Sequence, residues 1–127
     1  MIIKEENADK VMKNEIGHIM RKYNVLEYKG PGDELSIDTL YKTLGYACLY
    51  KGYGKTINEI PAEELTVSLF REAYPRELFS ELERKGYTLE EKYPGIYYVS
   101  GNILFPVQIV VISRLNRTMH SSLRILS

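Results

Sequence analysis

Two charged residues on one short strand are the strongest candidates for chemistry in this sequence. The stretch "NVLEYK", residues 24–29, is rich in strand-forming residues and is ended by the turn sequence "GPGD". Side chains alternate between the two faces of a strand, so Glu27 and Lys29 should point the same way, together with Val25. Such a pair is either a small ion pair or half of a metal site, and the residues alone leave both interpretations open.

The metal-site interpretation has a coherent chemistry. A hard divalent cation such as Mg²⁺ binds carboxylate and carbonyl oxygens and keeps several of its waters. Glu27 could supply a carboxylate and Tyr28 a backbone carbonyl. Lys29 could orient an attacking water or offset charge that develops on a phosphate. A second carboxylate from a neighbouring strand is needed to hold the ion well.

Other motifs give little support to other kinds of site. The sequence "GKT" at 54–56 matches the end of a phosphate-binding loop, but Leu49 stands where that loop needs glycine. No G-x-G-x-x-G sequence is present, which argues against a dinucleotide-binding site. His18 and His120 are far apart and have no paired cysteine, so a zinc site is not expected. We predict that His18 faces solvent.

Composition is that of an ordinary globular chain and favours no class of partner. The 127 residues are 44% hydrophobic and 27% charged, with seventeen basic and seventeen acidic residues. Bulk charge therefore gives no reason to expect nucleic acid or a membrane surface as partner. No apolar run is long enough to span a membrane, and the single Cys48 is compatible with a reducing compartment. We predict a cytoplasmic protein with Cys48 in its core.

Hydrophobic periodicity predicts an α/β domain with a mixed sheet and helices packed against it. Ser36 is a suitable N-cap for the clearest helix, residues 36–51, and this helix should pack on the 24–29 strand, central in the sheet, through Leu40, Leu44 and Cys48. Its broader predicted apolar face also includes Ile37, Tyr41 and Leu49. The other predicted elements are strands at 2–4, 65–70, 87–92, 96–99 and 105–112, a helical turn at 15–22, and helices at 75–86 and 113–126.

A longer segment carries a resemblance to a known family. The sequence "NEIGHIMRKYNVLEYKGPGDELSIDTLYKTLGYACLYK", residues 14–51, resembles PD-(D/E)XK nuclease-like proteins related to the Rpn recombination-promoting nucleases and putative transposases. The resemblance continues through "YPRELFSELERKGY" and "PGIYYVSG". It implies a restriction-endonuclease-like fold and Mg²⁺-dependent cleavage of DNA, with Glu27 and Lys29 as the E-x-K pair. Tyr46 matches a tyrosine on the next helix of that superfamily, whereas Lys42 stands where many members have glutamine.

The family's metal-binding Asp belongs to the strand before E-x-K, in a stretch resembling R-I-D-x-I-I-K. This chain opens with "MIIK", so that Asp would fall just before Met1. If the two strands are antiparallel, Glu5 and Glu6 lie at the wrong end of the pair to replace it. Asp33 and Asp38 follow the second strand and could approach its end, although nothing in their spacing requires it.

We therefore expect one shortened nuclease-like domain, residues 1–127, which lacks the first elements of the fold and has weak or no activity as this chain. The alternative is a non-catalytic binding or assembly module that retains the sheet and uses its tyrosines or the basic C-terminal segment. A shortened sheet should expose a strand or an apolar face, so we also predict a homodimer or a larger assembly.

Overall fold

Six strands form one mixed sheet in the computed structural model, which describes residues 2–4 and 15–115. Their order across the sheet is β1-β2-β3-β6-β5-β4. Strands β2, β3 and β6 are parallel, while β1 joins one side antiparallel and the β4–β5 hairpin continues the other side antiparallel. The strands are β1 Ile2–Lys4, β2 Tyr23–Lys29, β3 Leu65–Arg71, β4 Thr88–Tyr93, β5 Ile96–Ser100 and β6 Val107–Val111.

Two α-helices flank this sheet within the described residues, α1 at Ile37–Lys51 and α2 at Arg76–Arg84, so the predicted α/β class is confirmed. Within those residues no helix has the length and apolar character needed to cross a membrane. The last strand is shorter than predicted, because the chain turns into a short 3₁₀ helix at Ile112–Arg114. Most of the predicted closing helix, 113–126, lies outside the described residues.

Helix α1 begins where the sequence predicts. The Ser36 hydroxyl accepts a hydrogen bond from the Thr39 amide, and the Thr39 hydroxyl accepts one from the Ser36 amide, each at 3.3 Å. This reciprocal cap satisfies amides that a helix start leaves without partners. The helix ends at Gly52, whose amide donates back to the carbonyls of the last turn.

The predicted contact of Cys48 with the sheet is wrong. Leu40, Leu44 and Ala47 are buried, whereas Cys48 is exposed. Each helical residue advances by about 100°, so position 47 returns almost to the direction of Leu40 and position 48 lies about 80° away from it. Tyr41 and Leu49 are likewise exposed, because the inward stripe is narrower than the predicted face.

Helix α1 covers one face of the sheet together with α2, and the large core lies there. In β2, Val25 belongs to this helix face, while Leu26 belongs to a smaller core on the opposite face. The prediction that the 24–29 strand is central in the sheet is met only in part, since β2 lies between β1 and β3 but is the second of the six strands. Strand β1 pairs only with residues 23–25 of it.

A short 3₁₀ helix, Glu15–Ile19, covers part of the second face through buried polar contacts. The Gln108 side-chain amide donates at 2.8 Å both to the Ile16 carbonyl and to the Ser68 hydroxyl. Buried amides are tolerated when they are paired in this way, and here they connect a loop to two central strands. His18 lies exposed on this helix, as predicted, and its Nδ1 is 2.8 Å from the Tyr93 hydroxyl.

Candidate functional site

Glu27 and Tyr46 line the same open cavity of about 370 Å³ between β2 and α1. Helix α1 runs back along β2. The ring of Tyr50, one helical turn after Tyr46, lies 5.5 Å from the ring of Tyr23 at the start of β2. Tyr46 therefore lies on the same side of the sheet as Glu27, as predicted. The cavity is lined by Ile2, Val25, Leu26, Glu27, Tyr46, Leu49, Tyr50 and Tyr53.

Lys29 follows Glu27 on the helix-facing side of β2, but the two do not form an ion pair. Among the described residues the salt bridge is Lys22–Glu64, at 4.0 Å on the surface. Both Glu27 and Lys29 are partly buried. The ion-pair interpretation of the E-x-K sequence is thus not supported.

The neighbour of Lys29 is a second cation. The parallel register places Lys29 directly beside Arg71 of β3, at the carboxyl ends of both strands. Like charges placed directly opposite each other destabilise a sheet, so this arrangement favours an anion close to both. The Arg71 Nε donates to the Asp33 carbonyl at 3.2 Å, which fixes the base of the guanidinium.

Sequence reasoning missed Arg71, although a signal was present. Arg71 follows the predicted strand 65–70 directly, as Lys29 ends strand 24–29. Carboxyl ends of parallel strands meet at one edge of a sheet, which is the usual location of ligand sites in open α/β sheets. Recognising the two strands as parallel neighbours was the missing step.

The described residues do not make a Mg²⁺ site by themselves. No group of three or more His, Cys, Asp or Glu side chains in 2–4 and 15–115 is arranged to hold a metal ion. Tyr28 is 56% exposed, and its strand position places its side chain on the opposite face from Glu27, so only its carbonyl oxygen remains as a metal ligand. Mg²⁺ requires near-octahedral oxygen ligands, and one carboxylate with one carbonyl is a small part of such a set.

The other two acidic residues considered from the sequence do not line the Glu27 cavity. Asp33 lies in the turn after β2, where its amide donates to the Gly30 carbonyl at 3.0 Å. Asp38 is exposed in the first turn of α1. Glu5 and Glu6 lie outside the described residues, but β1 runs from Ile2 opposite Val25 to Lys4 opposite Tyr23, away from Glu27.

The β1–β2 register also defines which residue of β2 would face an extension of β1 before Met1. Ile2 is paired with Val25, so a residue placed immediately before Met1 would lie opposite Glu27 if the pairing continued. Opposed residues of an antiparallel pair point to the same face with their Cβ atoms about 5 Å apart. A carboxylate at that position could share a metal ion with Glu27.

Helix α1 also presents an exposed apolar stripe next to the cavity. Tyr46 and Leu49, three residues apart on α1, are 48% and 57% exposed, and Tyr53, in the turn after the helix, is 73% exposed. The helical periodicity predicts Leu49 on the buried face, and this prediction is wrong. The exposure of Leu49 makes the rim of the Glu27 cavity aromatic and apolar.

Fold and site together define a mixed α/β domain with an acidic group and two basic groups at one strand end, beside an aromatic groove. Comparison with models of known protein families, with curated proteins and with solved structures finds no match for this chain.

Proposed function

We propose that this chain is a relative of the PD-(D/E)XK nucleases whose strand end binds the phosphates of DNA, and which as this chain cleaves DNA weakly or not at all. One observation carries the proposal. Glu27 shares a cavity with Tyr46, while Lys29 lies beside Arg71 at the same end of the parallel strands. The residues of the sequence resemblance therefore lie close to two basic residues on neighbouring strand ends, which could contact a phosphate.

The strand arrangement also supports the restriction-endonuclease-like assignment within this proposal. Strands β1 and β2 pair antiparallel, and α1 then connects β2 to the parallel strand β3. An antiparallel pair is what allows an aspartate on the first strand to face the glutamate of E-x-K on the second. The topology is thus compatible with the fold that the sequence resemblance implies.

Weak or absent cleavage follows from the small donor set. The described residues offer the Glu27 carboxylate and the Tyr28 carbonyl, which are too few oxygen ligands for a tightly bound Mg²⁺. Lys29 and Arg71 can hold a phosphate electrostatically. They supply no nucleophile.

DNA binding tests the proposal directly. We expect Lys29→Ala and Arg71→Ala each to weaken binding of a short DNA duplex, because each removes about one phosphate contact. The negative slope d log K/d log[salt] should become shallower by about 1 in each variant. Fluorescence anisotropy across a salt series measures both quantities. Lys92→Ala, exposed on β4 at the other side of the sheet, is the matched control and should leave both unchanged. Equal losses in all three variants would show non-specific charge and contradict the proposal.

A second candidate function is a non-catalytic assembly module, and the exposed stripe on α1 favours it. Apolar side chains grouped on a surface often mark a protein interface. The basic C-terminal segment, which the sequence analysis considered for the same role, lies outside the described residues from position 116 onwards.

Self-association is the expected property of this second candidate. We expect a homodimer in multi-angle light scattering at micromolar concentration, and we expect Leu49→Glu to shift it to monomer because a charge would have to be desolvated in the contact. Tyr41→Glu, exposed on α1 but outside the stripe and the cavity lining, should not shift the mass. A monomer of the unmodified chain across this range would exclude the assembly role.

A further inference from the structure

A second cavity, of about 490 Å³, lies between α2 and the β4–β5 hairpin. It shares no lining residue with the Glu27 cavity. Its volume is within the range of roughly 300–1,000 Å³ that small-molecule sites occupy. The lining residues are Tyr74, Phe79, Glu83, Gly86, Tyr87, Thr88, Leu89, Glu91 and Tyr97.

One wall of this cavity is a fixed group of aromatic rings. The Phe79 centroid lies 4.8 Å from those of both Tyr74 and Tyr97, and all three rings are edge-to-face. Phe79 and Tyr97 are 3% and 8% exposed and form the floor of the cavity, whereas Tyr74 and Tyr87 are partly exposed and offer ring surface to a ligand. The faces of such rings carry negative electrostatic potential and attract cations.

Two carboxylates complete the cavity, and its lining includes no lysine or arginine. Glu83 projects from the last turns of α2, and Glu91 comes from β4. The Gly95 amide donates to Glu91 Oε2 at 3.2 Å, which holds that carboxylate near the wall. Burial raises the pKa of Tyr97; the Arg114 hydrogen bond lowers it, and the nearby Glu91 charge raises it.

The chain itself provides an example of a cation on this aromatic group. The Arg114 guanidinium carbon lies 4.0 Å from the Tyr74 centroid, and its Nη1 donates to the Tyr97 hydroxyl at 3.0 Å. Arg114 is not among the residues that line the cavity. Its single positive charge offsets one of the two carboxylates, which leaves one negative charge for a ligand to neutralise.

We propose that this cavity binds a small organic ammonium monocation, of the alkyl or quaternary type. Aromatic faces and one net negative charge are the usual means of recognising such ions, because their weakly hydrated alkyl surface packs on the rings while the charge remains compensated. The site is separate from the Glu27 cavity and does not depend on the function proposed for it.

Choline is a suitable probe, with 3,3-dimethyl-1-butanol as its neutral isostere. We expect choline to give saturable shifts of the Tyr87, Leu89 and Gly95 amide signals in ¹H–¹⁵N NMR titrations, and we expect the isostere to bind at least about tenfold more weakly because it lacks the charge. Glu83→Gln and Glu91→Gln should each weaken choline binding by about fivefold. Glu83 is exposed, so its substitution should leave the fold and thermal unfolding unchanged.

Glu90→Gln is the matched control. Glu90 precedes Glu91 but is paired with Tyr98 and lines a different cavity, so its removal should leave choline affinity unchanged. Absence of choline-induced shifts at the cavity amides would overturn the proposal. Equal binding of the neutral isostere, or an equal loss in Glu90→Gln, would overturn it as well.

Discussion

Addition of Arg-Ile-Asp before Met1 is expected to give Mg²⁺-dependent nicking of supercoiled plasmid, which the 127-residue chain is expected to lack. Continued β1–β2 pairing would place the new Asp opposite Glu27 and so supply the second carboxylate that the described residues do not offer. A bound metal contributes several kcal/mol to phosphate cleavage, so the nicking rate should rise by about 100-fold or more. Agarose electrophoresis of the nicked and supercoiled forms measures it.

The control for this prediction is an Arg-Ile-Asn extension, which has the same length and shape but lacks the carboxylate charge. It should remain inactive, and Glu27→Ala or Lys29→Ala in the Asp-extended chain should abolish cleavage. Strong nicking by the unextended chain that is lost in Glu27→Ala would contradict the account. It would show that another carboxylate, with Asp33 or Asp38 the first to test, completes a site with Glu27.

The second large effect is expected at the tip of the β4–β5 hairpin. Gly95 has a φ of +79°, and a Cβ there would lie 2.8 Å from the Val111 carbonyl oxygen and 3.0 Å from the Arg114 carbonyl carbon. Both contacts are with backbone, which cannot move aside as a side chain can. Gly95→Ala should therefore lower the free energy of unfolding by about 3 kcal/mol or more, combining backbone strain with overlap.

Gly86→Ala separates the effect of backbone strain on the free energy of unfolding from the effect of steric overlap. Gly86 has a φ of +94°, but nothing lies within 4 Å of a Cβ at that position. Only the backbone strain applies there, so the expected loss is about 1 kcal/mol. Urea unfolding followed by circular dichroism measures both variants, and equal losses would show that crowding by β6 and the following turn is not the cause at Gly95.

Local sequence signals were sufficient for the start of α1 and for the alternation of side chains within β2. The cap at Ser36 and the alternation within β2 depend on neighbours a few residues away, and both are present in the structure. The proximity of Tyr46 to Glu27 came from the family resemblance, and the cavity between β2 and α1 contains both side chains.

The exposed positions on α1 were harder to predict. Tyr41, Cys48 and Leu49 are apolar enough to extend a predicted buried face, but a helix that packs on a sheet buries only a narrow stripe. Thr43, polar in type, is buried there because its hydroxyl donates to the Thr39 carbonyl at 2.7 Å. Hydrophobicity alone does not separate an inward Ala47 from an outward Cys48.

Long-range pairing accounts for the rest of what the sequence analysis missed. Lys29 and Arg71 are 42 positions apart and become neighbours only through the parallel register of β2 and β3. The ammonium cavity similarly combines α2, β4 and β5 with the ring of Tyr74. Composition and periodicity contain no information on which strands are adjacent, so these groups became visible only in the folded domain.

The central claim, that Glu27 is half of a metal site completed across β1 and β2, is tested most directly by Mn²⁺ titration calorimetry. Three proteins are compared: the Arg-Ile-Asp extension, the Arg-Ile-Asn extension, and the Arg-Ile-Asp extension with Glu27→Gln. The account predicts saturable binding near one ion per chain in the first protein and binding at least about tenfold weaker in the other two, since each lacks one carboxylate ligand. Equal affinity in all three proteins would contradict it, because the ion would then bind without the β1–β2 carboxylate pair.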